Sequence, residues 1–301
     1  MDGLFLLYSL RNILNEYASS SFLDTRTSYE YLWKAAKTFA SRSGVLRSTQ
    51  SITTVADQSG YTLNADFDKL YLQDTDSNYV VKYNDGSINT FPMWKPYEEV
   101  IYEDNTTSLS TPTYFTLIDD PTLDSKITGT ATSAGALSGG LATLTDTAGN
   151  FSDVSAGDAI HNTTDGSSGY VVSKTSSTVL SIALFGGSNN DWSSSDAYVI
   201  QPQGRIQLIL NPPPSTASHT VTVFYQQIPS PVFSDYGVYR FQQKYMDSII
   251  FYAAWLYKYR DREPDFGDRF FAQFDSAVRE ANSSLNRSIA RDNFKISFRK
   301  R

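Results

Sequence analysis

Acid–base chemistry near neutral pH usually needs a histidine, and this chain has two, His161 and His219. His161 sits beside Asn162 in a turn-rich stretch and His219 follows a Pro/Ser/Thr loop, so both read as solvated loop residues. No Gly-x-Ser-x-Gly context offers a nucleophile to either. Paired carboxylates could cleave a glycosidic bond. The adjacent pairs are Glu98-Glu99, Glu103-Asp104 and Asp119-Asp120, and neighbours on a strand face opposite ways, so they read as turn and surface acids. Asp74-x-Asp76-x-Asn78 opens like a calcium loop, but Tyr79 stands where that loop needs Gly and Asp85 where it needs Glu. The chain has no cysteine, which removes thiolate zinc sites, disulfides and cysteine nucleophiles together. No P-loop or dinucleotide glycine fingerprint is present. The expectation is a protein that is not an enzyme and has no catalytic, cofactor or metal site.

Binding is better supported. The chain has 20 Tyr and 18 Phe, and Tyr suits surfaces that meet other proteins. Residues 287–301 hold six cations (Arg287, Arg291, Lys295, Arg299, Lys300, Arg301) against Asp292 alone. That net +5, within a total of −7, leaves −12 on the remaining chain, which argues against a body that wraps nucleic acid. Inside this segment Phe294-Lys295-Ile296-Ser297-Phe298 alternates, so a strand would place three apolar side chains on one face. Such a strand can add to a partner's sheet edge, with Arg291, Arg299, Lys300 and Arg301 suited to an acidic partner, and the competing readings are a disordered basic end or one that touches nucleic acid.

The elements that would carry these residues are of two periods. Leu10, Leu14 and Tyr17 share one face of a first helix. Tyr29, Leu32, Ala36 and Phe39 line a second, with Thr27 and Glu30 as a capping box and Gly44 as its stop. Strands are expected around residues 61–63, 69–72, 79–83, 99–103, 114–118, 206–210 and 221–225, with Asn84-Asp85-Gly86 as a hairpin turn. Ser234 or Asp235 can cap a third helix with a face of Phe241, Tyr245, Ile249, Tyr252, Leu256 and Tyr259. Pro264 breaks it, and Phe266, Phe270, Phe274, Ala277, Ala281 and Leu285 line a fourth, making an antiparallel hairpin.

Residues 126–200 differ. They are rich in Gly, Ser, Thr and Ala, hold two lysines against six aspartates, and place short strands between Gly/Asn/Asp turns. Asn150-Phe151-Ser152 leading to Asp158-Ala159-Ile160 is weakly echoed by Asp191-Trp192-Ser193 leading to Asp196-Ala197-Tyr198. Trp192 or Tyr170 could stack on a sugar if exposed, or fill the module's core. The expected fold class is α+β: a helical bundle, made of the N-terminal helix pair and the C-terminal hairpin, with an antiparallel β domain and an inserted small all-β barrel or sandwich. The expected domains are a core of 1–125 and 201–286, a module of 126–200 and a docking tail of 287–301. No apolar run is long enough to cross a membrane, and Leu4 to Leu7, with no basic residue before it, is not expected to be a secretory signal.

This order of elements resembles the head-to-tail adaptor (head completion, or connector) proteins of tailed bacteriophages. The likeness covers residues 4–125 and 201–286. It rests on the helix pair, Tyr61-Thr62-Leu63-Asn64-Ala65-Asp66-Phe67, Thr111-Pro112-Thr113-Tyr114-Phe115, Ile206 to Pro214, Thr222-Val223-Phe224-Tyr225 and the aromatic helical hairpin. In the simpler family pattern the Tyr114 strand leads almost directly into the Ile206 strand, so residues 126–200 read as an insertion.

The resemblance implies a virion protein of the neck, made in the host cytoplasm, that forms a ring of about twelve copies under the portal. It implies portal protein and tail or neck proteins as partners, and a channel whose acidic wall lets DNA pass without specific binding. The tail residues Arg291, Phe294, Lys295, Ile296, Phe298, Arg299, Lys300 and Arg301 would then reach the portal. The competing expectation is a virion adhesin or decoration protein that binds carbohydrate through residues 126–200.

Overall fold

A computed structural model of the chain describes residues 1–16, 23–71, 80–102, 111–120, 126–260 and 264–290. Tyr17, the Asp74–Asn78 stretch, Tyr79, Glu103-Asp104 and the docking segment from Arg291 onward lie outside the described residues. In chain order come α1 (Gly3–Leu14), α2 (Thr25–Ser43), β1 (Arg47–Thr53), β2 (Gly60–Thr62), β3 (Phe67–Leu70), β4 (Val81–Asn84), β5 (Asn89–Thr90) and β6 (Met93–Trp94). Next are α3 (Tyr97–Tyr102), β7 (Tyr114–Asp119), β8 (Ile127–Thr130), β9 (Ala142–Thr145), β10 (Ala159–Asn162), β11 (Ser167–Ser176) and β12 (Val179–Phe185). The chain continues with β13 (Ala197–Gln201), β14 (Ile206–Asn211), β15 (Thr220–Gln227), α4 (Met246–Arg260) and α5 (Pro264–Ala290).

The expected fold class is corrected. Among the described residues fifteen strands in three sheets stand against five α-helices, so the chain is mostly β and not a helical bundle carrying a β domain and a small β insert. The reason is one of legibility. A helix face repeats over 15 to 27 residues in α2, α4 and α5, whereas strands such as β5 and β6 are two residues long and show no alternation.

The chain divides into two compact units, one formed by residues up to Leu46 and from Asp235 onward, the other by Arg47–Ser234. The first unit holds four of the helices. Leu6, Leu10, Leu32, Ala36, Phe39, Ile249, Ala253, Phe274 and Ala281 are buried there. The Phe39 ring lies 5.5 Å from Phe241, 5.2 Å from Tyr245 and 6.1 Å from Phe274. Helix α2 is capped by Asp24, whose Oδ1 accepts from Thr27 N at 2.6 Å, while Glu30 pairs with Arg26 at 2.9 Å. The expected capping box at Thr27 and Glu30 is therefore displaced by one turn signal that stands earlier. Gly44 does end the helix, in the left-handed region at φ 64°.

Helix α4 begins at Met246, well after Ser234 and Asp235, so neither caps it. The Asp235 carbonyl instead accepts from Leu4 N at 3.0 Å. Its buried side is Ile249, Ile250, Ala253, Ala254 and Tyr257, while Tyr259 is exposed. Apolar side chains on every side of α4 hid this rotation, and the small alanines mark where neighbours approach closely. Pro264 starts α5 rather than merely ending α4, since the first helical position needs no N–H. Phe270, Phe274 and Ala281 are buried as expected, with Ala277 half-buried; the side chains of Phe266 and Leu285 lie outside the described residues. A side chain at Gly267 would put its Cβ 3.3 Å from Trp255 Cδ1, so glycine keeps these two helices close.

In the second unit, β1, β15, β4 and β5 form a sheet in that order, with β3 also on β15. A second sheet runs β2-β14-β7-β6. Tyr61, Leu63, Val81, Tyr83, Phe115, Leu208, Leu210, Val221, Val223 and Tyr225 belong to one core shared by the two. Of the stretch expected as a strand at 99–103, residues 99–102 are instead in α3, because Pro96 presets the backbone and its carbonyl accepts from Val100 N at 3.1 Å.

Strands β8–β13 make the third sheet, in the order β8-β13-β10-β11-β12-β9. The sheet curls until Thr132, just past β8, donates its N–H to the Thr145 carbonyl of β9 at 2.7 Å. Phe151, Ile160, Val171, Leu180, Ile182, Trp192, Tyr198 and Ile200 fill its interior. The chain leaves the second sheet after β7 and re-enters it at β14, and Asp120 N donates to Arg205 O across that gap at 2.8 Å.

Candidate interaction surfaces

Of the two histidines, His161 lies on a strand and not in a loop, while His219 lies in a loop as expected but is half-buried rather than solvated. His161 is exposed on β10, at the register opposite Ser168 and Val199. His219 is half-buried just before β15, and its Nδ1 lies 2.5 Å from the hydroxyl of Tyr83, which is itself 1% exposed. Burial raises the Tyr83 pKa, and His219 gives that hydroxyl its partner. Asp85 stands near enough to act electrostatically on the Tyr83 hydroxyl, but its carboxylate accepts from the Ser87 and Ile88 amides of the hairpin turn, so the pair reads as structural.

The buried aspartates are consumed, while the two glutamates are not. Glu98 and Glu99 are exposed in the first turn of α3, and buried Asp120 accepts from Thr62 Oγ1 at 2.6 Å. In the curled sheet Asp146 accepts from Tyr198 OH at 2.7 Å and from Ala148 N at 3.0 Å. Asp158 accepts from Ser155 N at 2.8 Å, and Asp196 from Ser193 N at 2.7 Å. These last two turns match: each aspartate closes a turn on the residue three before it and then begins a strand. The weak sequence echo thus has a physical counterpart in two equivalent aspartate-closed turns, whose strands β10 and β13 pair antiparallel.

One cluster looks at first like a cation cage. Asp165 Oδ2, Asp196 Oδ2 and the Asp191 carbonyl all face Asn162, which is fully buried. The groove is already filled, because Asn162 Nδ2 donates to all three at 3.1, 3.1 and 3.4 Å. Its Oδ1 accepts from Thr164 N and Asp165 N, which fixes the amide's orientation. Among the described residues no group of three or more His, Cys, Asp or Glu is placed to hold a metal ion.

The aromatics proposed for sugar stacking are occupied. Trp192 is 1% exposed in the module core. Tyr170 stacks on Phe233, ring centres 4.8 Å apart, and Phe185 meets the same ring at 6.0 Å.

What remains available is apolar surface. In the second unit Ile88, Phe91, Met93, Trp94 and Tyr97 are exposed within ten residues. They run from β5, the last strand of one sheet, to β6, the last strand of another. In the first unit Phe5 and Tyr8 are exposed on α1, and Tyr236 and Val238 flank its start through the Asp2–Val238 bridge and the Leu4–Asp235 bond. An open groove of about 630 Å³ between β3 and β7 is lined by Phe67, Leu70, Leu117 and Ile206.

Sequence reasoning missed the Ile88–Tyr97 surface. Its signal was weak: Ile88, Phe91, Met93, Trp94 and Tyr97 are interspersed with Asn89, Thr90, Lys95 and two prolines, Pro92 and Pro96. The docking segment expected at Arg291 to Arg301 lies outside the described residues. No helix among the described residues is long and apolar enough to cross a membrane. In comparisons with known proteins, the chain matches no family model and no curated sequence.

Proposed function

We propose that this chain is a structural virion protein, a head-to-tail adaptor that assembles into a ring of about twelve copies between portal and tail. It performs no catalysis in this reading. It joins the portal to tail or neck proteins and frames the path by which DNA leaves the capsid. The order of sequence elements motivates the reading, and one structural observation carries it. Each unit keeps large apolar side chains in the open, Phe5 and Tyr8 in one and Met93 and Trp94 in the other, while the buried aspartates Asp146, Asp158 and Asp196 are tied up in hydrogen bonds. Exposed apolar stretches of this kind mark surfaces that other protein covers.

The charge supports the same reading. An acidic body repels DNA and lets it slide, whereas a nucleic-acid binder would gather cations along a groove. Carbohydrate binding through residues 126–200 loses support, since Trp192 is buried and Tyr170 lies against Phe233.

The test is negative-stain electron microscopy of the purified chain, alone and mixed with portal protein. Closed rings that cap the portal are expected. A chain that stays monomeric at high concentration and ignores the portal would sink the proposal.

A further inference from the structure

Among the described residues β6 is an edge strand, and it bears on assembly. Met93 N donates to Thr113 O at 2.9 Å and Lys95 N to Phe115 O at 3.0 Å, so the inner side of β6 is paired with β7. Amides alternate along a strand, which turns the amide and carbonyl of Trp94 outward. Natural edges are usually guarded by a charge, a bulge or a proline in the pairing position. Here Pro92 is buried before the strand, and Lys95 lies over the Tyr114 ring at 3.6 Å. The side chains of the strand are apolar and exposed, Met93 46% and Trp94 57%, with Tyr97 at the start of α3 41% exposed just beyond. Immediately beyond stand the exposed acids Glu98 and Glu99.

The complement to this edge is in the same chain. Helix α5 is described as far as Ala290, and eleven residues follow to Arg301. Extended, they span up to about 36 Å, ample to reach another molecule. Phe294, Ile296 and Phe298 supply one apolar face, and Arg291, Lys295, Arg299, Lys300 and Arg301 outnumber the single Asp292. An apolar edge beside two acids matches an apolar strand among five cations in both pairing mode and charge.

We propose that the β6 edge receives the C-terminal segment Phe294–Phe298 of a second copy of this chain, as an added strand whose apolar face packs beside Trp94 and whose cations meet Glu98 and Glu99. This rests on the self-assembling part of the reading above and not on its portal part. It places the receiver of the basic segment within the assembly instead of on the portal.

The experiment compares the full chain with one ending at Ala290, by mass photometry over a concentration series. A peptide of residues 291–301 is also titrated into the shortened chain, with tryptophan emission as the readout. The full chain should assemble and the shortened chain should not. The peptide should bind, shift the emission to the blue, and bind more weakly as salt rises. Replacing Trp94 with Ala, or Glu98 and Glu99 with Lys, should each weaken peptide binding about tenfold or more. A peptide with Ser at positions 294, 296 and 298 should not bind. Because Trp94, Glu98 and Glu99 are exposed, these variants keep the fold. Assembly unchanged by truncation, peptide binding indifferent to Trp94, a tail held by its own monomer, or a peptide that binds portal protein and not this chain each overturns the proposal. Tail-dependent assembly that ignores the portal would instead fail the adaptor reading and leave this one standing.

Discussion

Tyr170 and Phe233 stack with ring centres 4.8 Å apart and planes 21° from parallel, joining β11 of the curled sheet to the segment that follows β15. Phe233 is 1% exposed and also meets Phe185, so one ring seats the outer face of the module. A second clamp lies at the exit of the module, where Arg205 Nη2 donates to the Asp153 carbonyl and to Ser155 Oγ. Among the described residues the module is thus held by apolar ring contacts on one side and a charged donor on the other, within its own unit.

Phe233→Ala should cost about 3–5 kcal/mol in chemical denaturation, as truncation of a buried aromatic does. The module's own core contains Trp192 and not Phe233, so tryptophan emission in the folded variant should stay close to wild type. A loss below about 1 kcal/mol would mean that the stack decorates the module rather than seating it.

Helix α2 gives a sharper comparison. Asp24→Ala removes the acceptor for Thr27 N and should cost about 1 kcal/mol. Thr27→Ala should stay within about 0.5 kcal/mol, because Glu30 turns to Arg26 and no reciprocal box forms. Thermal melts of the two variants side by side decide which residue is the cap.

These two cases show what the sequence could carry. The face of α2 was legible because Tyr29, Leu32, Ala36 and Phe39 repeat against polar neighbours. The face of α4 was not, since Tyr252, Leu256 and Tyr259 are as apolar as the buried Ile250 and Ala254, and only packing chooses among them. Most of the β structure was hidden for another reason. Strands as short as Met93–Trp94 exist because a partner strand is in register, and that partner can be far along the chain, as Ile206–Asn211 is from Tyr114–Asp119. The candidate surface at Ile88–Tyr97 was hidden, because its five apolar residues are interspersed with Asn89, Thr90, Lys95 and two prolines, and only its position at the ends of two sheets separates it from core.

Asp158 ties stability to pH. Burial raises its pKa above the ordinary 3.8, and hydrogen bonds from Ser155 and Gln203 only partly oppose that. A raised carboxylate favours the folded state when protonated. Its contribution is full below the unfolded pKa and is lost as pH rises through the folded value. Asp158→Asn lacks this dependence. The stability of wild type relative to the variant should therefore fall as pH rises from below 3.8 through the raised folded value, then stay flat. Urea titrations of both proteins across that range measure it, and a constant difference would show that the group titrates alike in both states.

The last prediction concerns Asn162, whose amide nitrogen occupies the point where Asp165, Asp196 and the Asp191 carbonyl converge. An Nδ2 group supplies two protons and partial positive charge, so it stabilises two carboxylates that would otherwise repel. Asn162→Asp removes both protons and adds a third acid in a fully buried position. With a chelator present the variant should lose about 3–5 kcal/mol, the range for an uncompensated buried charge. The substitution also turns the cluster into oxygens alone, which is the donor set that calcium prefers. Millimolar calcium should then restore part of the lost stability in the variant and leave wild type unchanged. If wild type itself is stabilised by calcium, the amide is not what balances these acids, and the cluster takes a cation beside it.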